Sequence, residues 1–528
     1  ILNGCRVEKN GEVFVRYGNL KEKKEETVLM QGIHYIVRGQ QLMAKSAKGE
    51  RKISNATIRI IKKLSRISLQ DVEKQFFVCE VHCQRWKAGD NRILEIAAEE
   101  YGHIFAILKE KFPDIVLFQG SGDAVSEYIA DSYAESEKSW SIEKQFEKAG
   151  WGADVDNTEK FHHGQHPFYA NWSMPTPWSV SMEERKQIYA AGERFLEVGK
   201  QGCAAGVIFT FAHAGFSLFW LRKAGVEVST ALYVRGETGS LKTSVCREIA
   251  NVFETDVRQR VFPFTSTWAS IYQRLLLMQD NVTLIDDFSM TEKRSSADAT
   301  AIFEQVIRAV GDGHLPAKMR SGGNVQNLTK LRTAVIMTGE DDPPLGRSSN
   351  LRMLTLSVDR QTFDSECLRD FQQHPSIMQR YFALFIQYLE ENGSRLPIDD
   401  DINVYRQRYQ VLCAEPRYIE LAVALRLQVN IIGDFSLWCG NTREDTMQMI
   451  RQLGDQIDEA VQLNQKNSKN YRPEVLFAQA FAEVFTDDSS ARLAADGDEY
   501  YQAQATPSFI GFYHRGDRTV WLHPSKTF

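Results

Sequence analysis

Short apolar runs alternate with segments of helical periodicity through the middle of the chain. The runs at 231–234 (ALYV), 281–285 (NVTLI), 333–337 (TAVIM) and 353–358 (MLTLSV) have the length of buried strands and are bounded by polar or glycine-containing turns. Residues 297–310 carry the spacing of an amphipathic helix. Strands that alternate with helices pack as a parallel sheet, which residues 190–364 are expected to form. Upstream, 12–17 (EVFVRY) and 76–81 (FFVCEV) read as strands and 93–111 as a helix, making 1–150 an α+β accessory domain. Residues 151–189, rich in Trp, Pro and His, read as a connector that leads into a helix at 182–199. Residues 365–466 are helical with few strand signals, as a lid would be. In 467–528 an amphipathic helix after 472 is followed by strands at 510–514 and 519–524 around Arg515, Gly516 and Asp517, which suggests a winged-helix-like module. The fold class expected is multidomain α/β.

Length agrees with that division, since 528 residues at about 150 per domain give three or four units. A net charge of −6 is mild, so any contact with nucleic acid must come from local basic patches. One such stretch covers 45–53 and 59–63, read as a solvated helix face that could touch phosphates. Eight scattered cysteines fit a reducing cytoplasm. The cluster CEVHC at 79–83 reads as strand alternation in preference to a zinc site, and HHGQH at 162–166 as an exposed loop. Residues 204–221 are apolar enough to be tested as a membrane span. They contain His213 and end close to the strand at 231, so a helix buried on the sheet is expected and no membrane partner. No signal peptide is expected; Ile1 is not an initiator residue, which leaves room for an earlier start.

The candidate chemistry begins where the strand at 231–234 turns into a helix. Residues 236–243 (GETGSLKT) fit a Walker nucleotide loop at Gly236, Lys242 and Thr243, with Leu241 where the second glycine belongs. The backbone N–H groups of Gly236, Glu237, Thr238, Gly239, Ser240, Leu241, Lys242, Thr243 and Ser244 would cradle phosphates of ATP. Lys242 would reach the β and γ groups, and the Thr243 hydroxyl would hold Mg²⁺. Leu241 is tolerable there only in a backbone conformation open to ordinary residues. The strand at 281–289 ends in Asp286 and Asp287, placed to bind Mg²⁺ through water and to polarise the attacking water. Lys318, Arg320, a turn at Gly322 and Gly323, Lys330 and Arg332 form a basic hairpin ahead of the next strand. In a ring ATPase it would grip DNA phosphates in the central channel. Thr338 ends that strand as a candidate sensor of the γ-phosphate, with Glu340 nearby. Arg352 is the candidate finger for a neighbouring subunit, Arg347 its alternative, and Arg417 a second sensor.

Taken in order, GETGSLKTS at 236–244, DDF at 286–288, IRAVGDG at 307–313, MTGE at 337–340 and SSNLR at 348–352 resemble the MCM-like AAA+ helicases and related helicase-primase proteins of bacterial mobile genetic elements. The likeness spans about 145–525, including the IGF and LHP motifs near the end. It implies an AAA+ P-loop NTPase core and a hexameric ATPase that translocates on single-stranded or forked DNA to open an element's origin, using ATP and Mg²⁺. It maps the family's motif positions to Gly236, Thr238, Gly239, Lys242, Thr243, Asp286, Asp287, Thr338 and Arg352, and makes Leu241 a family trait. The departure is Asp287, one methylene shorter than the glutamate of MCM proper. Two alternatives stand beside this reading: an ATP-binding replication initiator or switch that unwinds nothing, and the helicase part of a helicase-primase whose primase lies upstream of Ile1.

Overall fold

The computed structural model describes residues 26–468, apart from 31–32, 39–40, 47–48, 88–89, 119–127, 129–140, 176–179, 290–294, 317–328 and 397, together with three strands near the C-terminus. The run at 12–17 and the helix expected after 472 lie outside the described residues.

Five parallel strands form the central sheet, in the order Val261–Pro263, Asn281–Phe288, Thr333–Gly339, Ala231–Arg235, Met353–Ser357. All four runs expected to be strands are in it. Thr333–Gly339 is buried along its whole length, as a central parallel strand covered on both faces must be. It lies between the strand that feeds the glycine loop and the strand that ends in Asp286 and Asp287. Parallel strands deliver their C-terminal ends to one edge, so loop, acids and the end of the central strand meet there.

Helix Ala204–Lys223 covers one face of the sheet and is itself covered by helices Pro416–Trp438 and Arg443–Ser468. Being enclosed on both sides explains why it is apolar all round. It and Pro416–Trp438 are long and apolar enough to cross a membrane, yet 94% and 78% of their apolar windows are buried inside the protein. Gly215 lets the helix approach the sheet: a Cβ there would lie 2.9 Å from Val282 Cγ2. His213 is wholly buried. Its Nδ1 faces the Phe209 carbonyl at 2.8 Å and its Nε2 the Tyr381 hydroxyl at 3.0 Å, a neutral imidazole whose pKa burial pushes down to about 3. Helices Trp268–Leu277 and Ser295–Asp312 flank the opposite face through Ile271, Phe303 and Ile307.

Residues 365–466 are helical as expected. One hydrophobic cluster runs from Ala149 to Val461 and unites the connector region, helix Ala204–Lys223, a sheet face and the later helices. Trp151, Phe161, Tyr169 and Trp172 anchor the connector region in it, with Trp151 Nε1 donating to the Phe216 carbonyl at 2.7 Å and the Tyr169 hydroxyl to the Leu277 carbonyl at 2.6 Å. The histidines at 162–166 are accordingly not a plain exposed loop. His162 stacks on Phe146 at 3.8 Å, and His166 Nδ1 accepts from Phe168 N.

In the N-terminal region Glu26–Met30, Ile33–Arg38, Gln41–Ser46 and Gly49–Ser54 form an antiparallel sheet. A second sheet runs Arg92–Ala97, Glu73–Cys83, Ala56–Ile67, Ser141–Phe146. Arg92–Ala97 is a strand in place of the expected helix, because Leu94 and Ile96 alternate with exposed neighbours; the helix starts only at Ile104–Lys111. The basic stretch also lies on strands and not on a helix. Within it Arg59 pairs with Glu80 and Lys62 with Glu143 across neighbouring strands, so two of its positive charges are already matched. Cys79 and Cys83 point into the core while Glu80 and His82 face the other side, the alternation expected of a strand. Near the C-terminus Phe509–His514 pairs antiparallel with Thr519–Leu522, the hairpin read from the sequence, and parallel with Arg492–Ala495.

Candidate nucleotide site and basic hairpin

The glycine loop leaves Arg235 at the C-terminal edge of the sheet. Gly236 is required by close approach, since a Cβ would lie 2.4 Å from the Val358 carbonyl oxygen. Gly239 adopts φ +87. Leu241 follows at φ 64 and ψ 7, a left-handed conformation, and caps helix Lys242–Ile249. The condition set for it from sequence therefore fails: the loop imposes on Leu241 the geometry that a glycine normally supplies. Lys242 is buried and folds back over the loop, its Nζ 3.4 Å from the Glu237 carbonyl oxygen. Ser240 Oγ is buried with no partner among the described residues.

Three of the residues singled out by sequence converge on one atom. Asp286 Oδ1 accepts from the Thr243 hydroxyl at 2.7 Å and also from the Thr338 hydroxyl. Register explains the meeting. Ile285 pairs with Met337, after which the acidic strand bulges and resumes at Phe288 opposite Gly339. The bulge offers Asp286 to the buried Thr338, which itself lies beside Val234 of the loop strand. Asp287 is the other bulge residue, exposed and at φ 68. Glu340 accepts from the Thr238 hydroxyl and so ties the loop to the end of the central strand.

At the opposite edge of the sheet, His314–Leu315 pairs antiparallel with Thr329–Lys330, the base of the expected hairpin. Lys330 is exposed there; Lys318 and Arg320 lie outside the described residues. Arg332 is a correction to the basic set. Its Nη2 is 2.9 Å from Asp280 Oδ2 and donates to the Trp151 carbonyl at 3.0 Å, and its side chain is 22% exposed against a fully buried Asp280. A guanidinium that compensates a buried carboxylate is not free to grip phosphate.

Arg352 also lies at this edge, before strand Met353–Ser357 and away from its own glycine loop. Nη1 donates to the Ser348 carbonyl at 2.9 Å and Nη2 to Asp312 Oδ1 at 3.1 Å, with the side chain 13% exposed. Arg347 is 46% exposed and paired to Glu415 at 2.6 Å. Arg417 begins helix Pro416–Trp438 as expected and lies 3.4 Å from the Gly311 carbonyl. Burial, and then the nearby Arg352 charge, lower its pKa. The sequence reading missed Arg360, whose Nε is 3.1 Å from Glu237 Oε1. The signal was the Asp359–Thr362 turn just past a core strand.

The structure is similar to a solved structure of SCCmec type IV Cch, described as an active helicase, with a TM-score of 0.58 at 10% identity, over 94% of this chain and 90% of that one. The C-terminal region of NrS-1 aligns with TM-score 0.29 at 10% identity over 70% of this chain and 88% of that one, and JCV helicase with 0.24 at 10% over 46% and 65%. At such identities the first likeness establishes a shared fold, and the other two are too weak to add to it. No family model matches the sequence, and neither does a curated protein.

Proposed function

We propose that the protein is an ATP- and Mg²⁺-dependent DNA helicase of the MCM-like AAA+ type that acts as an oligomeric, hexameric ring in replication of a mobile genetic element. The observation that carries this reading is the convergence of Thr243 and Thr338 on Asp286 beside Lys242. The inserted central strand between loop and acids, and the fold shared with an active helicase, support it.

The residues present fit a magnesium–triphosphate group. The Thr243 hydroxyl and the Asp286 carboxylate are hard oxygen donors, and Ser240 Oγ has no partner among the described residues. When bound, the metal offsets phosphate charge. Lys242 exchanges the Glu237 carbonyl for phosphate oxygens, and the loop's N–H groups orient them. Asp287, exposed on the bulge, takes the proton of the attacking water. Thr338 reports the state of Asp286 to the central strand, whose other end leads back to the base of the basic hairpin. Lys318, Arg320 and Lys330 then hold DNA phosphates. Arg347, half-exposed and held by one carboxylate, is better placed than Arg352 to reach a neighbouring subunit's site, and Arg352 positions the segment that carries it.

Lys242→Ala and Asp286→Asn are expected to abolish ATP turnover, measured by phosphate release; undiminished turnover in either would overturn the assignment of the site. The internal pairing of Arg352 favours a second reading, an initiator that binds ATP without unwinding. Strand displacement separates the two.

A further inference from the structure

Arg360 has no part in the assignment above, yet it overlies the glycine loop. Strand Met353–Ser357 lies beside the loop strand, so the turn that follows it emerges at the same edge. Asp359 and Thr362 build that turn. The Thr362 hydroxyl and Gln361 N both donate to Asp359 Oδ1 at 2.9 Å, and Asp359 N donates to Thr362 Oγ1 at 3.0 Å. Arg360 projects from the turn so that Nε lies 3.1 Å from Glu237 Oε1 and Nη2 lies 3.5 Å from the Thr238 carbonyl oxygen. A Cβ on Gly239 would be 3.8 Å from the same Nε. Both partners of the ion pair are open to solvent, Arg360 at 68% and Glu237 at 58%.

We propose that Arg360 is a phosphate-binding residue acting within its own subunit, held in readiness by Glu237 and transferred from that carboxylate to a nucleoside triphosphate when the loop takes one. This rests on the reading of 236–243 as a triphosphate cradle. Electrostatics decide the direction of the exchange. An ion pair this exposed is screened by water and holds its partners weakly. A triphosphate concentrates several negative charges and offers oxygens that match the guanidinium fork, so it competes well for the arginine. Glu237 is unsuited to stay where it is, since a carboxylate beside bound phosphates is repelled, and its exposure lets it turn to solvent.

The turn is anchored in a way that carries the exchange further. Lys200 N donates to the Thr362 carbonyl at 2.9 Å, Asp364 N to the Val198 carbonyl at 2.7 Å, and Lys200 Nζ pairs with Asp364 at 3.0 Å. These bonds join the Arg360 turn to the segment that leads into helix Ala204–Lys223, giving triphosphate occupancy a path to the helical layer.

The test is calorimetric titration of the full chain with a non-hydrolysable ATP analogue and Mg²⁺, and separately with ADP. The proteins are wild type, Arg360→Ala, Arg360→Lys, Glu237→Gln and the Arg360→Ala/Glu237→Gln double variant, with Lys242→Ala as control. The expected results are analogue binding weakened about tenfold by Arg360→Ala with a smaller effect on ADP, partial recovery in Arg360→Lys, and tighter binding in Glu237→Gln. The tenfold loss is expected to persist when Arg360→Ala is made in the Glu237→Gln background. If the double variant binds as tightly as Glu237→Gln alone, Arg360 only neutralises Glu237 and the proposal fails while the cradle stands. If Lys242→Ala binds as wild type does, the cradle itself fails and the proposal with it.

Discussion

Leu241 occupies a left-handed position at φ 64, a conformation that costs an ordinary residue about 1–2 kcal/mol. Its side chain packs against the main hydrophobic cluster, which offsets part of that cost. The residue is therefore a compromise between backbone strain and packing. Leu241→Gly is expected to leave nucleotide affinity within about threefold of wild type, because the loop geometry is already the one glycine prefers. Leu241→Val, whose β-branch tolerates positive φ poorly, is expected to lower stability by about 1 kcal/mol or more, measured as a fall in Tm. Asp287 follows the same logic. At φ 68 an aspartate is tolerated better than a longer side chain, a local reason for Asp at this position. The sequence made both residues visible as departures from a motif. It could not show that they share one cause, since the sign of φ in a loop is set by neighbouring turns and by the bulge in the acidic strand.

At the scale of elements, four of the five strands of the central sheet were legible as apolar runs that end at turns, whereas Arg92–Ala97 read as helix. Element faces were legible less often. Sequence alone puts Arg332 in a basic hairpin because only its chain neighbours are visible there, and its partner Asp280 becomes adjacent only when two strands are aligned. The structural role makes a distinct prediction. Arg332→Ala is expected to destabilise the fold by about 3–5 kcal/mol, as it strands a buried carboxylate, whereas Lys330→Ala is expected to change it by less than about 0.5 kcal/mol. Urea denaturation distinguishes them; equal effects would return Arg332 to the surface set. Helix Ala204–Lys223 offers a second test through His213. Its folded pKa, about 3, lies below the unfolded value near 6.5, so the unfolded chain binds a proton first as pH falls. The stability held by the neutral imidazole is fully present above about pH 6.5 and is lost as pH falls toward 3, by about 1.4 kcal/mol per unit. Wild type should accordingly lose Tm on acidification more steeply than His213→Asn; parallel curves would show that His213 does not carry the dependence.

For the whole molecule, the sheet separates two groups of candidate residues. The glycine loop, Asp286 and Thr338 sit at one edge, while the hairpin base, Arg347, Arg352 and Arg417 sit at the other. A ring in which one subunit's far edge meets its neighbour's loop would join them. This division was readable as an ordered string of motifs, although the union of connector, core and later helices in one cluster was not, because burial of Trp151 or Tyr169 depends on residues distant in sequence. Removing charge at Lys318, Arg320 and Lys330 together is expected to reduce DNA-stimulated turnover while basal turnover holds. It should also flatten the salt dependence of DNA binding by about 0.9 in log–log slope for each phosphate left unneutralised. Equal loss of basal and stimulated turnover would argue against a DNA-gripping role.

Displacement of a labelled strand from a forked duplex decides whether nucleotide chemistry at Lys242 and Asp286 drives DNA strands apart. Displacement by wild type is expected to require ATP and Mg²⁺ and to be absent in Asp286→Asn. Wild-type protein that hydrolyses ATP and binds the fork yet releases no strand would contradict the helicase reading and leave the initiator reading in its place.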